Sequence, residues 1–228
     1  MPENLDGHLT EKALSQDAIL DMASALADRY RQVWAPGRGS RAPGRKPARD
    51  LAGQDLERLS DWLTEAHRRL RSNDGGETVP SSISEWILDN FYILRQAIRQ
   101  ISEDLPEGYY RRLPLLTDGP LAGLPRIYGL TRDLLSSQHY HLHLDVIAPV
   151  LVALQERIPL TMGELWAVPI LLRYILVETL AHTLAQVLAP ENPPDLPPLI
   201  ETGSAAAASD GSPQPGGDGA AVVVANIV

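Results

Sequence analysis

The 228-residue sequence contains no cysteine. That excludes disulfides, iron–sulfur clusters, thiolate zinc sites and a cysteine nucleophile, and it fits a reducing compartment. Positive charge is in the minority: 20 Lys and Arg face 29 Asp and Glu, a formal net charge of -9. An acidic balance of this size argues against a general nucleic-acid binder. Residues 1–12 are polar and acidic, with neither a basic nor an apolar block, so they do not read as a secretory signal. No G-x-x-x-x-G-K-[ST], G-x-G-x-x-G, G-x-S-x-G, H-E-x-x-H or EF-hand pattern occurs. No run alternates long enough to propose a sheet. Hydrophobic residues at 44% exclude a wholly disordered chain.

Helical periodicity is what the sequence does have. A first helix is expected over 15–34, with Ile19, Met22, Ala23, Leu26, Tyr30 and Val33 on one face. Residues 36–50 follow, with Arg38, Arg41, Arg45, Lys46 and Arg49 among prolines and glycines. Such a run could touch anionic lipid or nucleic acid, but it reads better as a solvated, flexible connector. A second helix, 51–71, carries the seam Ala52, Leu56, Leu59, Leu63, Ala66 and Leu70. A third starts at a Ser82/Glu85 capping box and repeats Ile87, Phe91, Leu94, Ile98 and Ile101, with Trp86 and Ile93 widening the stripe.

Residues 105–126 are dense in proline and glycine and predict turns and one-turn helices. Helices are expected over 125–137, with Ile127, Leu130, Leu134 and Leu135 inward, and over 142–157, with Ile147, Val150, Leu151 and Leu154 inward. Pro149 should kink or shorten the second of these. A Thr161/Glu164 capping box opens the last helix, which runs to Leu188 with an expected kink at Pro169.

That last helix is apolar on nearly every side, but Arg173, Glu178 and His182 interrupt it. A charge at mid-bilayer costs about 2.5–3.5 kcal/mol, so a buried core helix is the better reading, and no transmembrane segment is assigned.

The expected fold is all-α: an irregular bundle of about six helices. Residues 1–50 form an N-terminal arm helix and basic linker, and 51–188 the helical domain. Residues 189–228 read as a disordered Pro/Gly/Ala/Ser tail whose apolar end, 220–228, looks like the cut-off start of another element.

Candidate chemistry is sparse. His139, His141 and His143 would share one face of a strand and could then hold a metal, but a turn entering a helix is expected there, where they diverge. Glu85, Asp89, Asp104, Glu107, Asp118 and Glu164 lie near aromatics, yet Glu85 and Glu164 are explained as caps. Tyr109, Tyr110, Arg111, Arg126 and Tyr128 combine rings with guanidinium groups, which suits a sugar or a phosphate. Packing and pairing with acidic neighbours is the competing account.

Three blocks read together carry a resemblance. They are Glu85-Trp-Ile-Leu-Asp-Asn-Phe-Tyr92; residues 103–114 (Glu-Asp-Leu-Pro-Glu-Gly-Tyr-Tyr-Arg-Arg-Leu-Pro) with 118–128 (Asp-Gly-Pro-Leu-Ala-Gly-Leu-Pro-Arg-Ile-Tyr); and residues 159–173 (Pro-Leu-Thr-Met-Gly-Glu-Leu-Trp-Ala-Val-Pro-Ile-Leu-Leu-Arg). In order and spacing they resemble the N-terminal region of cyclic β-1,2-glucan synthases, glycosyltransferase/phosphorylase fusions of the bacterial inner membrane.

The resemblance implies a parent that uses UDP-glucose and a divalent metal to make glucan, trims it with a phosphorylase domain and cyclises it. It places no catalytic residue, cofactor site or metal site in this chain. It implies a structural or regulatory helical domain, here a truncated or split chain, whose partner is the remainder of the synthase or its membrane domain. The implied location is the cytoplasmic face of the inner membrane.

Tyr109, Tyr110, Arg111, Arg126, Tyr128 and Arg173 are then the candidate contacts to a ligand, such as glucan, or to a partner. The alternatives are a stand-alone carbohydrate or nucleotide-sugar binding module and an independent glycan-active enzyme.

Overall fold

The computed structural model describes residues 15–34, 48–72 and 81–199. Seven α-helices lie among these residues: α1 (Gln16–Arg29), α2 (Gln54–Ser72), α3 (Ser81–Asp104), α4 (Glu107–Tyr110), α5 (Arg126–Ser137), α6 (Leu144–Gln155) and α7 (Met162–Leu188). The fold is helical, as the periodicity predicts.

The seams face inward. Leu56, Leu59, Leu63 and Ala66 of α2 are buried, as are Ile87, Leu94 and Ile101 of α3 and Ile127, Leu130, Leu134 and Leu135 of α5. Trp62 joins the α2 seam and donates its indole N–H to the Ala181 carbonyl at 2.8 Å, which ties α2 to α7. The centre is α7, which α2, α3 and α5 all contact. It is long and apolar enough to cross a membrane, but it is mostly buried inside the bundle. Burying one such Leu or Ile contributes about 1.5–3 kcal/mol.

Thr161 and Glu164 make the expected capping box. The Thr161 hydroxyl accepts from the Glu164 N–H, and the Glu164 carboxylate accepts from the Thr161 N–H. The Ser82 side chain lies outside the described residues. Both internal prolines stay within continuous helices. Each proline removes one backbone donor, but the surrounding hydrogen bonds and packing keep both helices intact.

Four expectations need correction. First, α1 stops at Arg29, and Val33 and Trp34 leave the helix to form a short strand, β1 (Val33–Trp34). It pairs antiparallel with β2 (Leu115–Leu116), so a small two-stranded sheet, two residues to a strand, exists where none is expected. β-branched and aromatic residues tolerate the pleat well.

Second, the helix assigned to the N-terminal arm, α1, is part of the helical body. Ala23, Leu26, Ala27 and Tyr30 belong to the common core, and α1 packs on α6. Gly129 allows this: a Cβ there would come within 2.7 Å of both the Tyr30 ring and Leu121.

Third, Arg49 is no solvated connector residue, because its side chain is only 9% exposed. Its segment is fixed by the Ala48 N–H, which donates to the Gly123 carbonyl at 2.9 Å. Gly123 has φ +84, and a Cβ there would strike Ala48. Arg38, Arg41, Arg45 and Lys46 lie outside the described residues.

Fourth, residues 189–199 are laid against the body, although composition puts them in a disordered tail. Ala189 is buried and Leu196 packs on the core. Arg58 pairs with Asp195, and the Pro197 carbonyl lies 2.9 Å from His182 Nε2. Prolines lose little entropy on ordering, so a few contacts hold the strap. Residues 200–228, including the apolar end, lie outside the described residues.

The strap gives the first expected result. Burial lowers the His182 pKa from its ordinary 6.5; Glu178 and the Pro197 carbonyl act in the opposite direction, while Arg132 and Arg49 reinforce the lowering. The folded protein thus favours neutral His182. The stability this gives is present above the unfolded value and is lost as pH falls below it. Going from about pH 7.5 to about 5.5 should lower the melting temperature. His67, lowered by burial and by Arg71, acts in the same direction. His182→Gln should therefore flatten the dependence in part; an unchanged pH profile in that variant would exclude the strap as its origin.

Candidate functional site

Among the described residues, the buried charges Asp55, Arg126, Arg132, Glu164 and Glu178 fall into two networks. In the first, Glu178 of α7 is fully buried. Its Oε1 accepts from Arg49 Nη2 at 3.0 Å. Its Oε2 accepts from the Tyr128 hydroxyl at 2.8 Å and from Arg132 Nη1 at 2.9 Å. Arg49 also donates Nε to Asp55 at 2.6 Å and Nη1 to the Pro198 carbonyl at 3.2 Å. The Tyr110 hydroxyl donates to the Arg49 carbonyl at 2.9 Å.

Two arginines thus balance two carboxylates. Desolvation is the largest influence on Arg49 and pulls its pKa down, but Tyr174, Glu178 and Tyr128 outweigh it and the net shift is upward. Burial raises the pKa of Tyr128, Tyr110 and Tyr174, so all three stay protonated. The arrangement has no free base or nucleophile, and every charge in it is spoken for.

The second network is a bidentate pair. Arg126, at the start of α5, donates Nε and Nη2 to the two oxygens of Glu164, each at 2.8 Å. Arg126 Nη2 also reaches the Pro159 carbonyl at 3.3 Å. Glu164 thereby serves two roles, as a helix cap and as the counter-ion of a buried guanidinium.

The six candidate contact residues do not converge on one cleft. Tyr110, Arg126 and Tyr128 are inside the core, and their polar atoms serve the networks. Tyr109 is half-buried, packs on Gly163 and donates its hydroxyl to the Gly163 carbonyl. Arg111 is exposed and bonded to Glu107 on its own turn. Arg173 is exposed on α7, 4.0 Å from Asp104 of α3.

Of the carboxylates, Glu85, Asp89, Asp104, Glu107 and Asp118 are exposed, whereas Glu164 is buried. The histidines sit in a turn, as expected. His139 and Tyr140 both have positive φ, and His141 and His143 stack at 5.5 Å. Among the described residues, no group of three His, Asp or Glu is placed to hold a metal.

Sequence reasoning missed Asp55 and Arg132, and it mistook Arg49 for a solvated residue. The available signal was Glu178. A carboxylate in the middle of an all-apolar helix needs a cationic partner from another element, because Arg173 five residues away cannot supply one.

No family model matches the chain. A 106-residue stretch, 46% of the chain, is 33% identical to "Cyclic beta-(1,2)-glucan synthase NdvB" of Rhizobium meliloti (strain 1021). The chain covers only 4% of that protein's length. The resemblance to cyclic β-1,2-glucan synthases is borne out by this match, and the chain is similar to a small part of such a protein.

Proposed function

We propose that this chain is a non-catalytic scaffold domain of a cyclic β-1,2-glucan synthase-like protein, acting where the remainder of such a synthase meets the cytoplasmic face of the membrane. The observation that carries this reading is that the resembling blocks bind one another. Arg126 of the second block holds Glu164 of the third. Tyr109 of the second holds the Gly163 backbone of the third. These contacts fix α4, α5 and α7 together, which is the work of a scaffold. UDP-glucose, a divalent metal and glucan would then be handled by the remainder of the synthase.

The test is to incubate the isolated chain with labelled UDP-glucose and a divalent metal. No glucose transfer or hydrolysis above buffer is expected, and any turnover overturns the reading.

A glucan-binding module is the second reading. Trp166, 69% exposed, stands one turn from Gly163 and the Tyr109 ring that packs on it, and ring faces suit sugars. A tryptophan fluorescence titration with β-1,2-glucan oligosaccharides discriminates, because the scaffold reading expects no saturable change.

A further inference from the structure

We propose that the open groove between β1 and the α6–α7 turn is a binding site for a phosphate-class anion, with diphosphate as its probe. The groove has a volume of about 490 Å³, and Arg31, Val33, Arg126, Arg157, Pro159 and Thr161 are among its walls. Its three guanidinium groups come from three separate segments, in a chain whose net charge is -9.

The three arginines contribute differently. Arg126 is held rigid by Glu164 and the Pro159 carbonyl. Its Nη1 has no hydrogen-bond partner among the described residues, so the free edge of a fixed fork is available to the groove. Preorganisation of this kind reduces the entropy lost on binding. Arg157 is exposed and has no ion pair among the described residues. Arg31 pairs with Asp28 at 3.0 Å, both side chains being largely exposed. Solvent screens an exposed pair of this kind, so Arg31 is easily turned to another anion.

Carboxylates do not cancel this charge. Glu164 is fully buried, and its oxygens are occupied by Arg126 and by the Thr161 N–H and hydroxyl. Asp28 is the other carboxylate bonded to a lining residue, and it is the easily released one.

The ligand class follows from the walls. Forked guanidinium donors match the oxygens of phosphate bidentately. Val33, Pro114, Ile158 and Pro159 supply apolar sides that strengthen the ionic contacts. Among the described residues, no aromatic side chain lines the groove, and the donors it offers are the guanidinium groups. Recognition would thus read the phosphates of its ligand, whether in a soluble diphosphate or a lipid headgroup. The proposal goes beyond the scaffold reading and is independent of it, since binding here requires no turnover.

The test is calorimetric titration of the full chain with inorganic pyrophosphate, against sodium chloride and sulfate at matched ionic strength. Saturable binding specific to pyrophosphate is expected. The double variant Arg31→Ala/Arg157→Ala, altered only at exposed side chains, should weaken it by about tenfold or more, the effect of losing charge-assisted hydrogen bonds. Arg99→Ala, an exposed arginine on α3, should leave it unchanged.

Flotation with phosphatidylcholine vesicles, with and without phosphatidic acid, reads the source. Association that needs phosphatidic acid and is lost in the double variant supports a headgroup at the same site. Absence of both the pyrophosphate and the vesicle signal overturns the proposal, as does a signal that survives the double variant.

Discussion

Glu178→Gln should lower the unfolding free energy by about 3–5 kcal/mol, the cost of removing one partner from a buried ion network. The amide keeps the shape, so no cavity contributes. What changes is charge: Arg49 and Arg132 remain buried with only Asp55 as a formal counter-ion. One end of the amide is moreover a donor, and it would meet a guanidinium N–H or the Tyr128 hydroxyl where an oxygen now accepts. Against a total stability of about 5–15 kcal/mol this is a large fraction. Chemical denaturation of the two proteins measures it. A loss below about 1 kcal/mol would mean that water reaches the network and the burial argument fails. Replacing the whole network with apolar residues of similar volume should cost much less than the single change, because no orphaned charge is left behind.

The second large effect is at Glu164. Glu164→Gln removes the carboxylate that neutralises Arg126 and weakens the box that starts α7. The expected loss is about 3–5 kcal/mol for the buried pair, with the cap adding about 1 kcal/mol at most. Thr161→Ala removes the hydroxyl of the cap while leaving the ion pair, and should cost about 1 kcal/mol. The difference between the two variants isolates the pair. If both cost the same, Arg126 is not dependent on Glu164 and the network has been misread. The comparison also bears on enzymatic readings. Loss of an activity in Glu164→Gln would be no evidence for a catalytic acid unless melting were unchanged, and melting is expected to fall.

How far the sequence could be read differs between the apolar and the polar parts. Helix seams were legible because their period is local: Leu56, Leu59, Leu63 and Ala66 announce one face within a few turns. The Thr161/Glu164 box was legible for the same reason, since cap and partner are three residues apart. The destination of Arg49 was not. It stands in a segment rich in arginine, proline and glycine, and it is buried through Asp55, Tyr174 and Glu178, two of which lie far along the chain. The same holds for the strap at 189–199, whose composition says little because its anchors are on α2 and α7. At the candidate site, the residue types were identified but not their neighbours. Tyr110, Arg126 and Tyr128 combine rings and guanidiniums as a ligand site would, and pairwise contacts across the fold assign them to the interior instead.

The span of the Arg49 clamp also bears on the order of folding. Arg49 and Glu178 are 129 residues apart, and Arg58 and Asp195 are 137 apart. Contacts that close such long loops form after the local helices have collapsed. The clamp is therefore expected to form on the native side of the folding barrier. Weakening it should steepen escape from the native state while leaving the rate of reaching it almost untouched. An arginine that local sequence assigns to a connector is thus expected to lengthen the persistence time of the folded chain.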